Sequence, residues 1–372
     1  SYADVIVSVG ADFLGDWQGG GHDLGYVKGR VPVRDKNNKG KMSKHFQLES
    51  NMSISGANAD KRIMLTPTQQ KIALAKIFGY ISGYNIGGEL PEKIDLSIKQ
   101  VAESLINAGQ KGIIITGIDD VNAHLLTYAI NDLLRSLSYK KNELSLIRNG
   151  NDKEVLKLIK DLNNKEVKGI IMCGVNPVYT LANSDDFISG IKKANFSVCF
   201  SMKNDETAIE SKWVAAAPHY FESWGDNEMI SGNFSLTQPT IRPLFDTMQF
   251  QDCLLKWMGS DSSFYDFIKD NWENNILNNT SWNKALHDGF FKSKEKKQII
   301  SYNDLDLFDY NVSANKLSSS KSLGLELVLY SKSGLGDGQQ ANNPWLQEFP
   351  DPITRVSWDN YLTVSKADAK GL

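Results

Sequence analysis

The chain has 372 residues, 41% of them hydrophobic, enough to fill two or three cores. Its 41 basic and 44 acidic residues leave a formal charge of −3, which excludes a global attraction to nucleic acid or to an anionic membrane surface. No run of about 18 apolar residues marks a membrane span, Asp4, Asp12 and Asp16 stand where a signal peptide needs a basic start and an apolar middle, and Cys173, Cys199 and Cys253 lack the spacing of a disulfide, iron–sulfur or zinc framework.

In chain order, a β-branched run at 5–9 (Val-Ile-Val-Ser-Val) closes on Gly10 and predicts a buried parallel strand. The Gly-rich stretch 15–29 lacks the Lys-Ser/Thr ending of a P-loop and reads as a long connection draped over the surface. Helical periodicity follows at 67–81 and 98–108, then a strand at 113–116 before Gly117, and helices at 123–137 and 153–162. A strand at 170–173 before Gly174, a helix at 184–192 and a strand at 196–201 complete the alternation. Strands alternating with helices predict a doubly wound α/β sheet, and two such units fit better than one.

From about residue 254 the texture turns aromatic and Asn/Lys-rich, with Trp257, Phe264, Tyr265, Phe267, Trp272 and Trp282 among polar residues. This reads as a helical insertion with an aromatic core, and as a candidate interface. Residues 313–322 are poor in core formers and read as a linker or exposed loop, 325–330 as a β-type run, and 337–345 as turns. The chain opens almost directly into a strand and stops without a finishing element, so it reads as a piece of a longer polypeptide.

In a doubly wound sheet ligands bind at the carboxyl ends of strands, where glycine lets backbone approach a phosphate. Gly10-Ala11-Asp12 and Gly174-Val175-Asn176-Pro177 occupy such positions, although each is also what a tight turn needs. Asp119-Asp120 and Asp185-Asp186 read as caps, with Ser184 as the N-cap of the second pair's helix. The five histidines show no metal-binding spacing. His219, set among aromatic and acidic residues, is the histidine to weigh as a base, and a hydrogen-bonded structural role is the preferred reading.

Taken in order, these segments resemble the molybdopterin oxidoreductase superfamily. Residues 3–12 resemble its first strand and loop, 169–180 a later strand ending in Gly-x-Asn-Pro, and Glu206-Thr207-Ala208 with Val214 and Pro218 its Thr-Glu-Thr-Ala and Ala-Asp-Val-x-Leu-Pro segments. Longer strings are similar to the molybdopterin-oxidoreductase-like, iron–sulfur subunit of bacterial alternative complex III, a quinol:cytochrome c oxidoreductase of the respiratory chain. They are 45–53, 56–62, 222–226, 238–244 and 342–348.

The resemblance implies two Rossmann-like lobes of the molybdopterin oxidoreductase fold. The first covers 1–115, the second with its aromatic insertion 116–312, and 313–372 form a linker and the start of a C-terminal domain. It further implies a periplasmic scaffold for electron transport, held to the membrane by partners that include a multihaem cytochrome and a quinol-binding membrane subunit. Where cofactor-bearing relatives carry Asp-Pro-Arg, this chain has Glu49-Ser50-Asn51, so a neutral amide replaces a guanidinium beside a diphosphate. The expectation is therefore no cofactor in this fragment, no catalytic residue and no metal ligand. The alternative is an active molybdopterin guanine dinucleotide oxidoreductase of the polysulfide reductase or formate dehydrogenase type, with Gly10, Asp12, Gly174, Asn176 and Glu206 lining the nucleotide site.

Overall fold

The structure is a computed structural model that describes residues 3–15, 17–18, 20–34, 40–140, 143–147, 150–293, 309–322, 324–336 and 338–371. The chain divides into two units, one formed by Ser1–Lys141 with Ile300–Leu372, the other by Asn142–Ile299.

In the first unit, strand β1 (Val5–Val9) lies at the centre of a parallel sheet. The segment 15–29 is not all connection: after Gly21 it winds into helix α1 (His22–Arg30), whose Tyr26 is buried. A two-stranded hairpin, β2 (Val33–Arg34) and β3 (Gly40–Lys41), leads to β4 (Lys44–Glu49), short helix α2 (Ile54–Ala57) and β5 (Lys61–Met64). Then come helices α3 (Pro67–Ser82) and α4 (Glu92–Ala108), strand β6 (Gly112–Thr116) and helix α5 (Val121–Leu133). The sheet runs β5-β4-β1-β6, all parallel, which is the third-second-first-fourth order of a Rossmann half.

Strand alternation sorts the side chains of this sheet. Val7, Val9, Phe46, Leu48 and Ile114 face α3, α4 and α5 in one apolar core, whereas Ile6 and Ile113 face α1 in a thinner one with Ala3 and Phe13. Helix α3 starts with local chemistry: Thr66 and Gln69 form a capping box, Pro67 occupies the first turn and Gly83 ends the helix in the left-handed region. On the edge strand β6, the buried Asn131 of α5 accepts from Ile114 N and donates to Ile114 O at 3.0 and 2.7 Å, pairing backbone groups that no neighbouring strand reaches. Helix α5, grouped with the second lobe by sequence alone, thus packs in the first unit.

The second unit begins with helix α6 (Asp152–Asn163) and holds β7 (Gly169–Cys173), β8 (Phe196–Ser201) and β9 (Trp213–Ala216) in a parallel sheet. Helices α7 (Pro177–Thr180), α8 (Ser184–Lys193) and α9 (Glu206–Glu210) connect these strands. Asn183 rather than Ser184 precedes α8, and no side chain caps that helix. An antiparallel sheet of β10 (Gly225–Ile230), β11 (Asn233–Thr237) and β12 (Phe290–Lys292) accompanies helices α10 (Phe250–Trp257), α11 (Phe264–Asn275) and α12 (Trp282–Asp288). The aromatic insertion is a core: Trp272 and Trp282 are buried with Ile268, Leu277 and Ala285, and Phe234 and Phe291 of the sheet pack on them. Trp257 is left outside, 55% exposed.

The chain then returns to the first unit. Residues 313–322 are not a linker, because helix α13 (Tyr310–Ser318) docks there on α3 and α5 and buries Ala314 and Leu317 completely. The run 325–330 joins no sheet. Short helices α14 (Pro344–Glu348) and α15 (Asp368–Gly371) follow among turns. No helix of the described residues is long and apolar enough to cross a membrane.

Candidate functional site

A cleft of about 660 Å³ opens in the first unit at the carboxyl ends of β1, β4 and β6. The order of the sheet reverses between β1 and β6, and there the two strand-end glycines meet. A Cβ on Gly117 would lie 2.4 Å from Gly10 O, and Gly10 itself has φ +71°, so both positions require glycine. Asp12 lies beyond Gly10, and its Oδ1 accepts from the amide and hydroxyl of Ser55 at 2.8 and 2.7 Å, fastening the β1 loop to α2.

The face of β4 opposite the main core carries three polar side chains in register: His45, Gln47 and Glu49 are 0, 0 and 4% exposed. The Tyr26 hydroxyl lies 3.2 Å from His45 Nδ1, and His45 Nε2 lies 3.1 Å from Gln47 Oε1. Gln47 Nε2 in turn donates to Glu49 Oε2 and to Ala11 O. Glu49 ends the ladder in the cleft wall, accepting from Ser53 Oγ at 2.6 Å and from Arg62 Nε at 2.5 Å. Arg62 also donates to Ser50 O, so this guanidinium is spent within the wall.

Burial pushes the His45 imidazole below its ordinary pKa, against the raising influence of the Gln47 acceptor and the Asp60 carboxylate. His45 is therefore neutral in the fold. As pH falls through the ordinary histidine range, the unfolded chain takes up a proton that the native chain refuses, and stability is lost. Urea midpoints measured at pH 7.5 and 5.0 should fall with acid, and His45→Gln should narrow that difference.

The remaining charges of the lining decide which ligands suit it. Asp12, Glu49, Asp119 and Asp351 face the cleft, and Lys71 is the one basic lining residue among those described. Lys71 already lies 3.2 Å from Asp120. Glu49 is neutralised by Arg62, and Asp351 folds back to accept from the amides of Ile353 and Thr354. Asn51 Oδ1 accepts from Thr363 Oγ1 at 3.3 Å. Among the described residues, none of the buried side-chain polar atoms left without a partner belongs to the lining. A dinucleotide's diphosphate would thus meet the Asp12 and Asp119 carboxylates and, among the described lining residues, no free cation, so the residues present do not fit it.

Gly10 and Asp12 lie in this cleft, and the other three candidates lie in the second unit. There Gly174, at φ +63°, ends β7. Asn176 Nδ2 donates to Glu206 Oε2 at 2.7 Å, and Asn176 Oδ1 accepts from the amide and hydroxyl of Thr207. The Asn176 hydrogen bond holds the exposed Glu206 carboxyl below its ordinary pKa. The bonds of Asn176 to Glu206 and Thr207 tie the loop after β7 to α9. His219 takes the structural role, its Nδ1 accepting from Phe221 N at 3.2 Å within a stack with Tyr220 and Phe221. Burial, with Asp205 and Cys173 adding, pushes the Cys199 thiol up to about 11, so it stays protonated. No group of three or more potential metal-ligating side chains occurs among the described residues.

Sequence reasoning missed Ser55, Arg62 and the β4 ladder as parts of the wall. The alternating polar positions 45, 47 and 49 were the available signal, but period-2 polarity ordinarily marks a solvated strand face.

No protein-family model matches the chain, and no curated protein does. Among solved structures, acetylene hydratase from Pelobacter acetylenicus is similar, with a TM-score of 0.53 and 13% sequence identity over 79% of this chain and 53% of that one. The chain spans about half the length of that structure. What the likeness establishes is the fold: Rossmann-like α/β units with parallel sheets, as in that neighbour.

Proposed function

We propose that the chain is a cofactor-free, molybdopterin-oxidoreductase-like scaffold within a subunit of a respiratory quinol:cytochrome c oxidoreductase. Electrons in this reading pass through iron–sulfur clusters and haems outside the chain, and its α/β units hold neighbouring subunits at the periplasmic side of the membrane. The observation that carries the reading is the cleft lining, where, among the described residues, four carboxylates stand with one lysine that is already paired with Asp120. The fold likeness and the long strings similar to the alternative complex III subunit support it.

The competing reading is an active molybdopterin guanine dinucleotide enzyme. It draws on Gly10 and Gly174, which end parallel strands at positive φ as a nucleotide loop requires. Metal and pterin analysis of the protein purified from its native membrane separates the two. The scaffold reading expects no stoichiometric molybdenum or tungsten, no extractable pterin, and co-purification with a multihaem cytochrome and a quinol-binding membrane subunit. Stoichiometric metal with pterin would replace it by the enzyme reading.

A further inference from the structure

The segment 324–333 has the composition of a strand and none of its bonding. Leu325, Leu327 and Leu329 alternate outward, 75, 73 and 86% exposed. Among the described residues, the backbone of 325–331 makes no backbone–backbone hydrogen bond. A chain with neither ladder nor buried apolar contacts stays in place only through what its side chains grip, and opens readily where they let go.

Two grips hold it. Near its start, Glu326 Oε2 accepts from Thr68 N at 2.7 Å and from Thr68 Oγ1 at 2.9 Å, across 258 positions of sequence. Thr68 lies in the first turn of α3, where backbone N–H groups have no partner within the helix and the dipole favours an anion. Burial by itself raises the Glu326 pKa, but hydrogen bonds from Thr66, Thr68 and Ser322 outweigh it and hold the carboxyl below its ordinary value. At the far end, Lys332 Nζ donates to Trp358 O at 3.0 Å and to Asp359 O, and lies over the Tyr361 ring. Between the grips, residues 327–331 form one wall of the cleft described above.

We propose that residues 324–333 are a strap latched across the cleft of the first unit by the Glu326 carboxylate on the first turn of α3, and that releasing this latch opens the cleft without unfolding the unit. The arrangement is a conformational device of the fold, independent of whether the cleft ever held a nucleotide. With no backbone ladder to break, release of the Glu326 latch leaves residues 324–329 to swing about the far-end contacts of Tyr330 and Lys332.

Lys321 precedes the strap and Lys332 lies at its far end, and the two offer trypsin cuts on either side of the latch. The cleft side is read by thiol labelling of an Ile118→Cys variant, since Ile118 lines the cleft. Its background carries Cys173→Ser and Cys253→Ser, and the third cysteine, Cys199, is buried. Adding Glu326→Ala should raise both tryptic cleavage within the strap and labelling at position 118 about tenfold or more, with the urea midpoint nearly unchanged. Glu326→Gln keeps an acceptor oxygen without the charge and should fall between. Thr68→Val, which removes only the hydroxyl donor, gives a smaller rise of the same kind and serves if Glu326→Ala does not fold. Rates equal to the parent's would overturn the proposal. So would rates that rise only in step with the globally unfolded fraction, since Glu326 would then be an ordinary stabilising contact.

Discussion

Arg62→Ala is expected to destabilise the first unit by about 3 kcal/mol, because it strands a carboxylate that is almost wholly inside the protein. The Glu49 side chain is 5% exposed and the Arg62 side chain 23%, so the pair is well desolvated on the acid's side and partly hydrated on the base's. Breaking such a pair costs about 3–5 kcal/mol when fully buried, and the partial hydration of Arg62 places this one at the lower end. After the substitution Glu49 keeps only neutral donors, Ser53 and Gln47. Urea denaturation followed by circular dichroism measures the loss. Adding Glu49→Gln to Arg62→Ala should recover part of it, since a neutral amide no longer needs the guanidinium; a double variant as unstable as the simple sum would show that the two side chains act separately.

A loss of about 4 kcal/mol is expected for Trp272→Ala in the second unit. The ring is fully buried, and Trp282 and Phe234 meet it edge-on at centroid distances of 6.1 and 6.2 Å. Removing it leaves a void between α11, α12 and the antiparallel sheet that large neighbouring rings cannot refill, and losses of about 3–5 kcal/mol are usual for such truncations. Trp272→Phe should cost much less. It restores most of the volume, and the hydrogen bond it forgoes, from Trp272 Nε1 to Asp226 Oδ2 at 2.9 Å, goes to a residue exposed to water. Peptide-level hydrogen exchange adds a spatial check: amides of α11 and α12 should lose protection in Trp272→Ala, while those of β1 and β4 lose it in Arg62→Ala.

The contrast between these two sites shows how far local sequence patterns reach. The importance of Trp272 could be expected from an aromatic-rich stretch, because large rings with helical neighbours usually bury themselves wherever the helix docks. The importance of Arg62 could not. Glu49 and Arg62 stand thirteen positions apart on strands β4 and β5, and only the parallel pairing of those strands brings them together. The same limit applies to Glu326, which reads as one polar residue in an apolar run until α3 is placed beside it.

Helix α13 failed as a sequence expectation for a related reason. Its serines and lysines carry no apolar stripe strong enough to announce a helix, yet two small faces at Ala314 and Leu317 suffice once α3 and α5 present a surface.

By itself the sequence determined the elements whose signal is periodic and local. The strand at 5–9 and the strand at 113–116 stand where their β-branched runs place them, and α3 starts at the capping box that Thr66, Pro67 and Gln69 encode. These outcomes depend on neighbours two to four positions away, which the chain carries with it. Tertiary structure alone decided that Gly10 meets Gly117, that Arg62 rather than a ligand answers Glu49, and that 325–330 stays unpaired. Such contacts join residues far apart in sequence, and their energy exists only after packing has excluded water and chosen which surfaces face each other.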